Sequence, residues 1–422
     1  MKFLHADIGS AKDNFNSPIH NWYKFTAGFS HKFVDEIIQR EKLHSNPDSK
    51  IFDPFAGCGT TLVSAQKNEI FAIGNEGQGF MFDIIQAKLN WNLSITIINR
   101  HLNKIAAFIK QERSQLDLNK IGHSLLKTLY TPHTLKTLYL IRNYINSISV
   151  KKYKLFFKLA LSQALHKVCI HPIAVPYIAR NKNLKSRGTA WKTFYTISKK
   201  MTEDLSTFTT KKTTSKIYLH DSRLKNKNIK ANSCSTCITS PPYLNNLDYG
   251  EVSKVHTHFF GITDSWADIT DRVRKKLVTG ATTHYSESGF NLADFKKSSF
   301  YKQNKNIADG LIKRYNSIKT VSANRAGKKS FHILMMLYFQ DMYKVLLEIK
   351  RVLRPNTKAY LILGDSAPYG IFIPTTKILG KMAINAGFNT YSIYKIRVRG
   401  TKWKSLTYRH SLELSENVLV IS

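Results

Sequence analysis

The sequence predicts an α/β chain built on a doubly wound sheet and interrupted by two inserts. Three observations point there. Lys50-Ile-Phe-Asp-Pro reads as a short strand, a glycine-rich turn follows it, and Thr60 to Lys67 then reads as a helix. Ile70-Phe-Ala-Ile-Gly is a second strand, ending at Asn75-Glu76. The α/β pattern resumes only much later, at Lys216-Ile-Tyr-Leu-His-Asp and Ser235-Thr-Cys-Ile-Thr-Ser.

Between those two stretches, residues 80 to about 175 carry Leu, Ile, Phe and Tyr at helical spacing, as in 134–145 and 154–165. Arg180 to Lys216 is strongly basic: Lys182, Lys185, Arg187, Lys192, Lys199 and Lys200 interleave with Trp191, Phe194 and Tyr195. Residues 264–330 are polar, basic and poor in apolar periodicity. A helix from Phe331 to Leu353 follows, closed by Arg354-Pro-Asn. The strand Ala359-Tyr-Leu-Ile-Leu-Gly-Asp, a helix from Thr375 to Ala386, and strands at Tyr394-Lys-Ile-Arg-Val and Asn417-Val-Leu-Val-Ile finish the pattern. We therefore divide the chain into a cofactor-binding half (1–100), a helical insertion with a basic end (101–215), a catalytic half (216–263), a basic insertion (264–330) and a closing part (331–422).

Composition narrows the partner. Lys and Arg total 64 against 28 Asp and Glu, a formal charge of +36 in 422 residues. Such an excess attracts polyanions and repels itself unless a partner neutralises it, which points to nucleic acid. The four cysteines Cys58, Cys169, Cys234 and Cys237 are too few for a disulfide framework and fit a reducing compartment. Cys234 and Cys237 form a lone CxxC, read either as half of a zinc or redox site or as two small residues on a buried strand. No run approaches the roughly 20 apolar residues of a bilayer span, and the first ten residues lack a signal-peptide core. A cytoplasmic location, with no membrane and no metal, is the expectation.

Asp53-Pro-Phe-Ala-Gly-Cys-Gly-Thr-Thr sits where a strand meets a helix. Glycines there let the backbone approach a ligand, and the helix start offers unpaired N–H groups. A P-loop needs Lys after its last glycine, and a dinucleotide fingerprint needs a third glycine where Leu62 stands, so both fail. Glu76, at the end of the second strand, is placed to accept hydrogen bonds from ribose hydroxyls. Thr239-Ser-Pro-Pro-Tyr follows a strand, and its two prolines fix the backbone and leave carbonyl oxygens to accept.

Together, Asp53-Pro-Phe-Ala-Gly-Cys-Gly-Thr-Thr and Ser240-Pro241-Pro242-Tyr243 resemble the S-adenosylmethionine-dependent DNA amino-methyltransferases. Further matches lie at His20 to His31, Val352-Leu-Arg-Pro, Leu361-Ile-Leu-Gly-Asp-Ser and Glu413-Leu-Ser-Glu-Asn-Val-Leu-Val-Ile, together about half of the chain. The resemblance implies a class I methyltransferase fold, Rossmann-like, with a seven-stranded mixed sheet; the family supplies the strand order. It implies S-adenosylmethionine as cofactor, held by Asp53, Pro54, Phe55, Ala56, Gly57, Gly59, Thr60 and Thr61, by Glu76, and by Asp221 at the adenine. Trp22 and Phe29 would then flank the sulfonium through cation–π attraction, or serve as core.

The chemistry explains the residue types. An exocyclic amine on a base is a poor nucleophile because its lone pair is delocalised into the ring. Acceptors aimed at its two protons put the lone pair on nitrogen and stabilise the charge that develops there. The Ser240 hydroxyl and the Pro241 carbonyl are the candidate acceptors, and Tyr243 would stack on a base extruded from the duplex. A C5-cytosine mechanism would want a cysteine after proline, and no cysteine here follows one.

The SPPY form is commoner in N4-cytosine enzymes than in N6-adenine ones, so N4-cytosine is the favoured product and N6-adenine the alternative. RNA amino-methyltransferases and protein-glutamine methyltransferases share parts of the logic; a separate RNA-binding module is not expected ahead of residue 53. Double-stranded DNA is the expected partner, with Lys182, Lys185, Arg187, Arg272 and Arg274 as candidate contacts. A cognate restriction endonuclease, encoded separately, is a further partner the resemblance allows.

Overall fold

The structure is a computed structural model that describes residues 8–119, 121–171, 178, 182–183, 188–208, 214–245, 247–325, 329–399 and 412–422. Among these residues seven strands form one sheet: β1 (Lys50–Asp53), β2 (Phe71–Glu76), β3 (Lys216–Leu219), β4 (Cys234–Thr239), β5 (Leu353–Gly364), β6 (Tyr391–Arg399) and β7 (Leu414–Ile421). Their order is β3-β2-β1-β4-β5-β7-β6. All neighbours are parallel except β7, which runs antiparallel to both β5 and β6. This is the class I methyltransferase fold.

The alternation of side chains along each strand sends neighbours to opposite faces. Ile51, Ala72, Ile238, Tyr360, Ile362 and Val418 join one core; Phe52, Ile73, Cys237, Leu361, Leu363 and Leu419 join the other. β1, β4 and the distal half of β5 are buried on both faces, as parallel central strands must be.

Each insert covers one of those faces. Helices α1 (His31–Arg40), α2 (Thr60–Lys67) and α3 (Gly79–Leu89) lie on the first face. They are followed there by the helical block α4 (Ile95–Glu112), α5 (Ser124–Leu129), α6 (Pro132–Ser147), α7 (Lys151–Val168) and α8 (Ala190–Ser206). Local chemistry starts several of them. The side chains of Ser30, Ser94, Thr131 and Thr189 accept from first-turn N–H groups, and Pro132 stands in the first turn of α6. Helix α9 (Tyr249–Phe259) leaves the catalytic loop with Asp248 as its cap.

The second insert departs from the sequence expectation. Residues 264–330, read as lacking apolar periodicity, form α10 (Trp266–Arg272), α11 (Leu292–Lys297), α12 (Ser299–Gln303) and α13 (Lys305–Ala323). Ala308, Leu311, Tyr315 and Ile318 line one side of α13 at helical spacing and pack into the second core with α14 (Phe331–Val352) and α15 (Thr375–Asn385). Polar neighbours hid that stripe in the sequence.

One ion pair pins this insert. Arg274, expected to contact DNA, is 1% exposed, and its Nε and Nη2 donate to Asp248 Oδ2 at 3.0 and 2.6 Å. Its guanidinium also lies 4.0 Å from the Trp266 ring centroid. Burial would raise the Asp248 carboxyl, but bonds from His284, Arg274 and Thr283 outweigh it and hold the group well below the usual carboxylate range. Arg274 is therefore a buried clamp, already neutralised, with no surface left for a phosphate. Removing one partner of such a pair strands a buried charge. Arg274→Met should lose about 3–5 kcal/mol in urea unfolding, and adding Asp248→Asn should recover much of that loss.

Candidate active site

The parallel strands bring the chemistry to one edge of the sheet. Phe52 of β1 is level with Cys237 of β4, and Gly74 of β2 with Ile217 of β3. The residues that continue past those registers, Pro54 to Thr60, Glu76, Asp221 and Ser240, therefore emerge at the same end. There Pro54 to Cys58, Thr60, Glu76, Asp221 and Ser240 line one cleft, with Phe25, Ala27, Gly28 and Phe29 closing it from the N-terminal segment.

Asp53 ties the two halves. Its Oδ1 accepts the Phe55 N–H at 3.0 Å and the Thr239 hydroxyl at 2.6 Å, so the cofactor turn is bonded to the residue before Ser240. Burial pushes this carboxyl up to about 6, against the lowering effect of the hydroxyl and N–H donors. Thr61 adds a second stitch, its hydroxyl donating to the Ile238 carbonyl at 3.2 Å. Gly57 has φ +55°, a conformation that costs other residues, and a Cβ there would meet only Phe25 Cε1 and the Phe55 carbonyl, both at 3.8 Å. The turn therefore leaves room on the cleft side.

Glu76 accepts the N–H groups of Gly57 and Gln78, each at 2.9 Å. It is 8% exposed, and burial pushes it up to about 7 despite those two bonds. Asp221 lines the cleft and is held by Arg223, whose Nη2 donates to Oδ2 at 2.7 Å and whose Nε donates to Oδ1 at 2.9 Å.

The loop from Ser240 to Tyr243 divides. Ser240 and Pro242 line the cleft, and the Ser240 hydroxyl donates to the Ile362 carbonyl at 3.3 Å. Pro241 is buried, and the Pro242 carbonyl accepts from the Tyr338 hydroxyl at 3.0 Å. Tyr243 differs from its expected pose. Its ring is 9% exposed, its hydroxyl donates to Glu416 Oε1 at 2.9 Å, and the Arg399 guanidinium lies 4.9 Å from the ring centroid.

Trp22 is also elsewhere. Phe29 reaches the cleft, but Trp22 is 1% exposed, donates to Asp204 Oδ2 at 2.8 Å and packs edge-on to Phe156. Its ring anchors the N-terminal segment to the helical block, the core reading of that residue. Of the basic candidates, Lys182 and Arg272 are exposed, whereas Lys185 and Arg187 lie outside the described residues. Cys234 and Cys237 are free, buried residues of β4. Among the described residues no cluster of His, Cys, Asp or Glu is arranged to hold a metal ion, and no helix is long and apolar enough to cross a membrane.

The sequence reading missed Phe25, Gln78, Tyr249 and, from the second insert, Lys276, Leu277 and Val278, all of which line the cleft. Phe25 lies within the His20–His31 match, and Gln78 stands two residues after Glu76. Nothing local marks Lys276–Val278, which reach the cleft only through the tertiary fold.

Over 436 aligned residues the chain is 22% identical to the Type II methyltransferase M.BsoBI of Geobacillus stearothermophilus, covering 94% of this chain and 84% of that protein. No family model matches the sequence.

The raised Glu76 carboxyl has a stability consequence. The folded state binds its proton more tightly than the unfolded chain does, so stability is lost as pH rises from about 4.5 through about 7. Glu76→Gln removes that loss. Relative to the wild type it should gain about 3 kcal/mol more at pH 8 than at pH 4.5, measured by chemical unfolding at both values.

Proposed function

We propose that this chain transfers a methyl group from S-adenosylmethionine to the N4 amino group of cytosine in duplex DNA, acting on a base extruded from the helix. The observation that carries the reading is that Glu76, at the end of β2, and Ser240, just after β4, line one cleft on either side of the glycine turn of β1, which Asp53 bonds to Thr239. The similarity to a protein named a Type II methyltransferase and the formal charge of +36 support DNA as the substrate.

The cleft fits S-adenosylmethionine. It offers an open glycine turn at Gly57, a buried carboxylate at Glu76 for ribose hydroxyls, an acid at Asp221 for the adenine amino group, and the rings of Phe25 and Phe29. When bound, this cofactor supplies the methyl group on a sulfonium. The protein's share is orientation and electrostatics. Glu76 and Asp221 hold the nucleoside, and the turn from Pro54 to Thr61 sets its depth. The Ser240 hydroxyl and the Pro241 carbonyl accept the protons of the target amine, which localises its lone pair for in-line attack. Ser240 can do this while it still donates to the Ile362 carbonyl, because a hydroxyl that gives its one proton keeps its lone pairs free to accept. The small Ser240, where adenine enzymes of the resembling family often carry Asp or Asn, favours cytosine.

Three outcomes test the reading. Gly57→Asn tolerates the positive φ but puts a side chain into the cleft. Calorimetry should show S-adenosylmethionine binding lost in the folded variant, and unchanged affinity would remove the glycine turn from the site. Duplex DNA methylated by the protein, digested to nucleosides and weighed by mass spectrometry, should contain N4-methylcytosine. Ser240→Ala should slow the chemical step by about a hundredfold with little change in DNA affinity. N6-methyladenine would reassign the base, and 5-methylcytosine would overturn the mechanism.

A further inference from the structure

We infer that Arg223 and Asp341 are positioning residues that hold a strap of the second insert, Lys275–Thr279, against Asp221, so that this insert forms one wall of the nucleoside subsite. The inference rests on the reading that the cleft takes S-adenosylmethionine.

The strap is tied at both ends. At its start, the Lys275 carbonyl accepts from Arg223 Nη2 at 2.5 Å, one residue after the buried Arg274 clamp. At its end, the Thr279 N–H and hydroxyl donate to Asp341 Oδ2 at 3.1 and 2.9 Å. Arg223 bridges the two ends, since its Nη1 donates to the same Asp341 oxygen at 3.1 Å. Its Nε and Nη2 grip both oxygens of Asp221, a fork that the planar guanidinium makes without further ordering. One arginine thus fixes the direction of Asp221 and the height of the strap together.

The middle of the strap faces the cleft. Lys276, Leu277 and Val278 line it beside Asp221 and Ser222. The strap lies directly on the residue after Glu76: a Cβ at Gly77 would stand 2.5 Å from the Lys276 carbonyl and 3.0 Å from Leu277 Cδ2. Only glycine permits that approach. Two branched apolar side chains, held between the acid at the end of β2 and the acid after β3, give a purine a flat face to pack on and a wall that excludes water.

Titration of the full-length chain with S-adenosylmethionine tests this, using Arg223→Ala and the pair Thr279→Val and Thr279→Ser. Thr279→Val keeps the shape and loses the hydroxyl bond, whereas Thr279→Ser keeps the bond. Arg223→Ala and Thr279→Val should each weaken binding about tenfold, with Thr279→Ser close to the wild type. On duplex DNA the loss should fall on the KM for the cofactor rather than on kcat. Wild-type affinity in folded Arg223→Ala and Thr279→Val overturns the inference, as does a fall in kcat at unchanged KM. If Arg223→Ala does not fold, the Thr279 pair decides alone. A wild-type protein that binds no S-adenosylmethionine removes the functional reading and this inference together. Binding and methylation by the wild type, with indifferent variants, removes the strap alone.

Discussion

The Thr239 hydroxyl donates at 2.6 Å to a carboxylate that is 1% exposed, and that contact spans the point where the strand order reverses between β1 and β4. In open α/β sheets this crevice is where ligands bind. One side carries the glycine turn, the other carries Ser240, and the distance between the two halves follows from this bond and from Thr61 on the Ile238 carbonyl. A hydrogen bond inside so dry a site gains strength from the low dielectric, and an unpaired partner there would be correspondingly costly. The other Asp53 oxygen has no partner among the described residues, which is consistent with a carboxyl raised towards neutrality.

Around that joint the inserts divide the labour of burial. The helical block covers one face of the sheet, and the second insert covers the other with α14 and α15. The second insert also turns inward at Arg274 and sends its next residues across the mouth of β2. A segment that carries two of the expected DNA contacts, Arg272 and Arg274, is thereby part of the cleft wall, and any movement of the insert is felt where the nucleoside would lie.

Legibility in the sequence followed the range of the forces involved. The strand–turn–helix at Lys50 to Lys67 was readable because a buried strand and a glycine turn are local patterns. Glu76 and Ser240 could be expected at one edge of the sheet because the ends of parallel strands emerge together in this architecture, and both line the cleft there. Arg274 was misjudged because composition counts a cation without showing its partner, and Asp248 neutralises it only after α9 and the second insert fold together. For Trp22 the sequence left cleft and core both open, and only the fold decides for core, since Asp204 comes to it from the end of α8. The apolar stripe of α13 was present but diluted by lysine and asparagine on its other faces.

Under the proposed function, the inward pose of Tyr243 sets a cost on holding an extruded base. With its hydroxyl on Glu416 and Arg399 beside its ring, the aromatic face is withdrawn in the described state. Whatever fraction of molecules turns the ring outward scales the apparent affinity for an extruded base. On that reading the Glu416 bond would be a latch that has to open before the ring can meet a base.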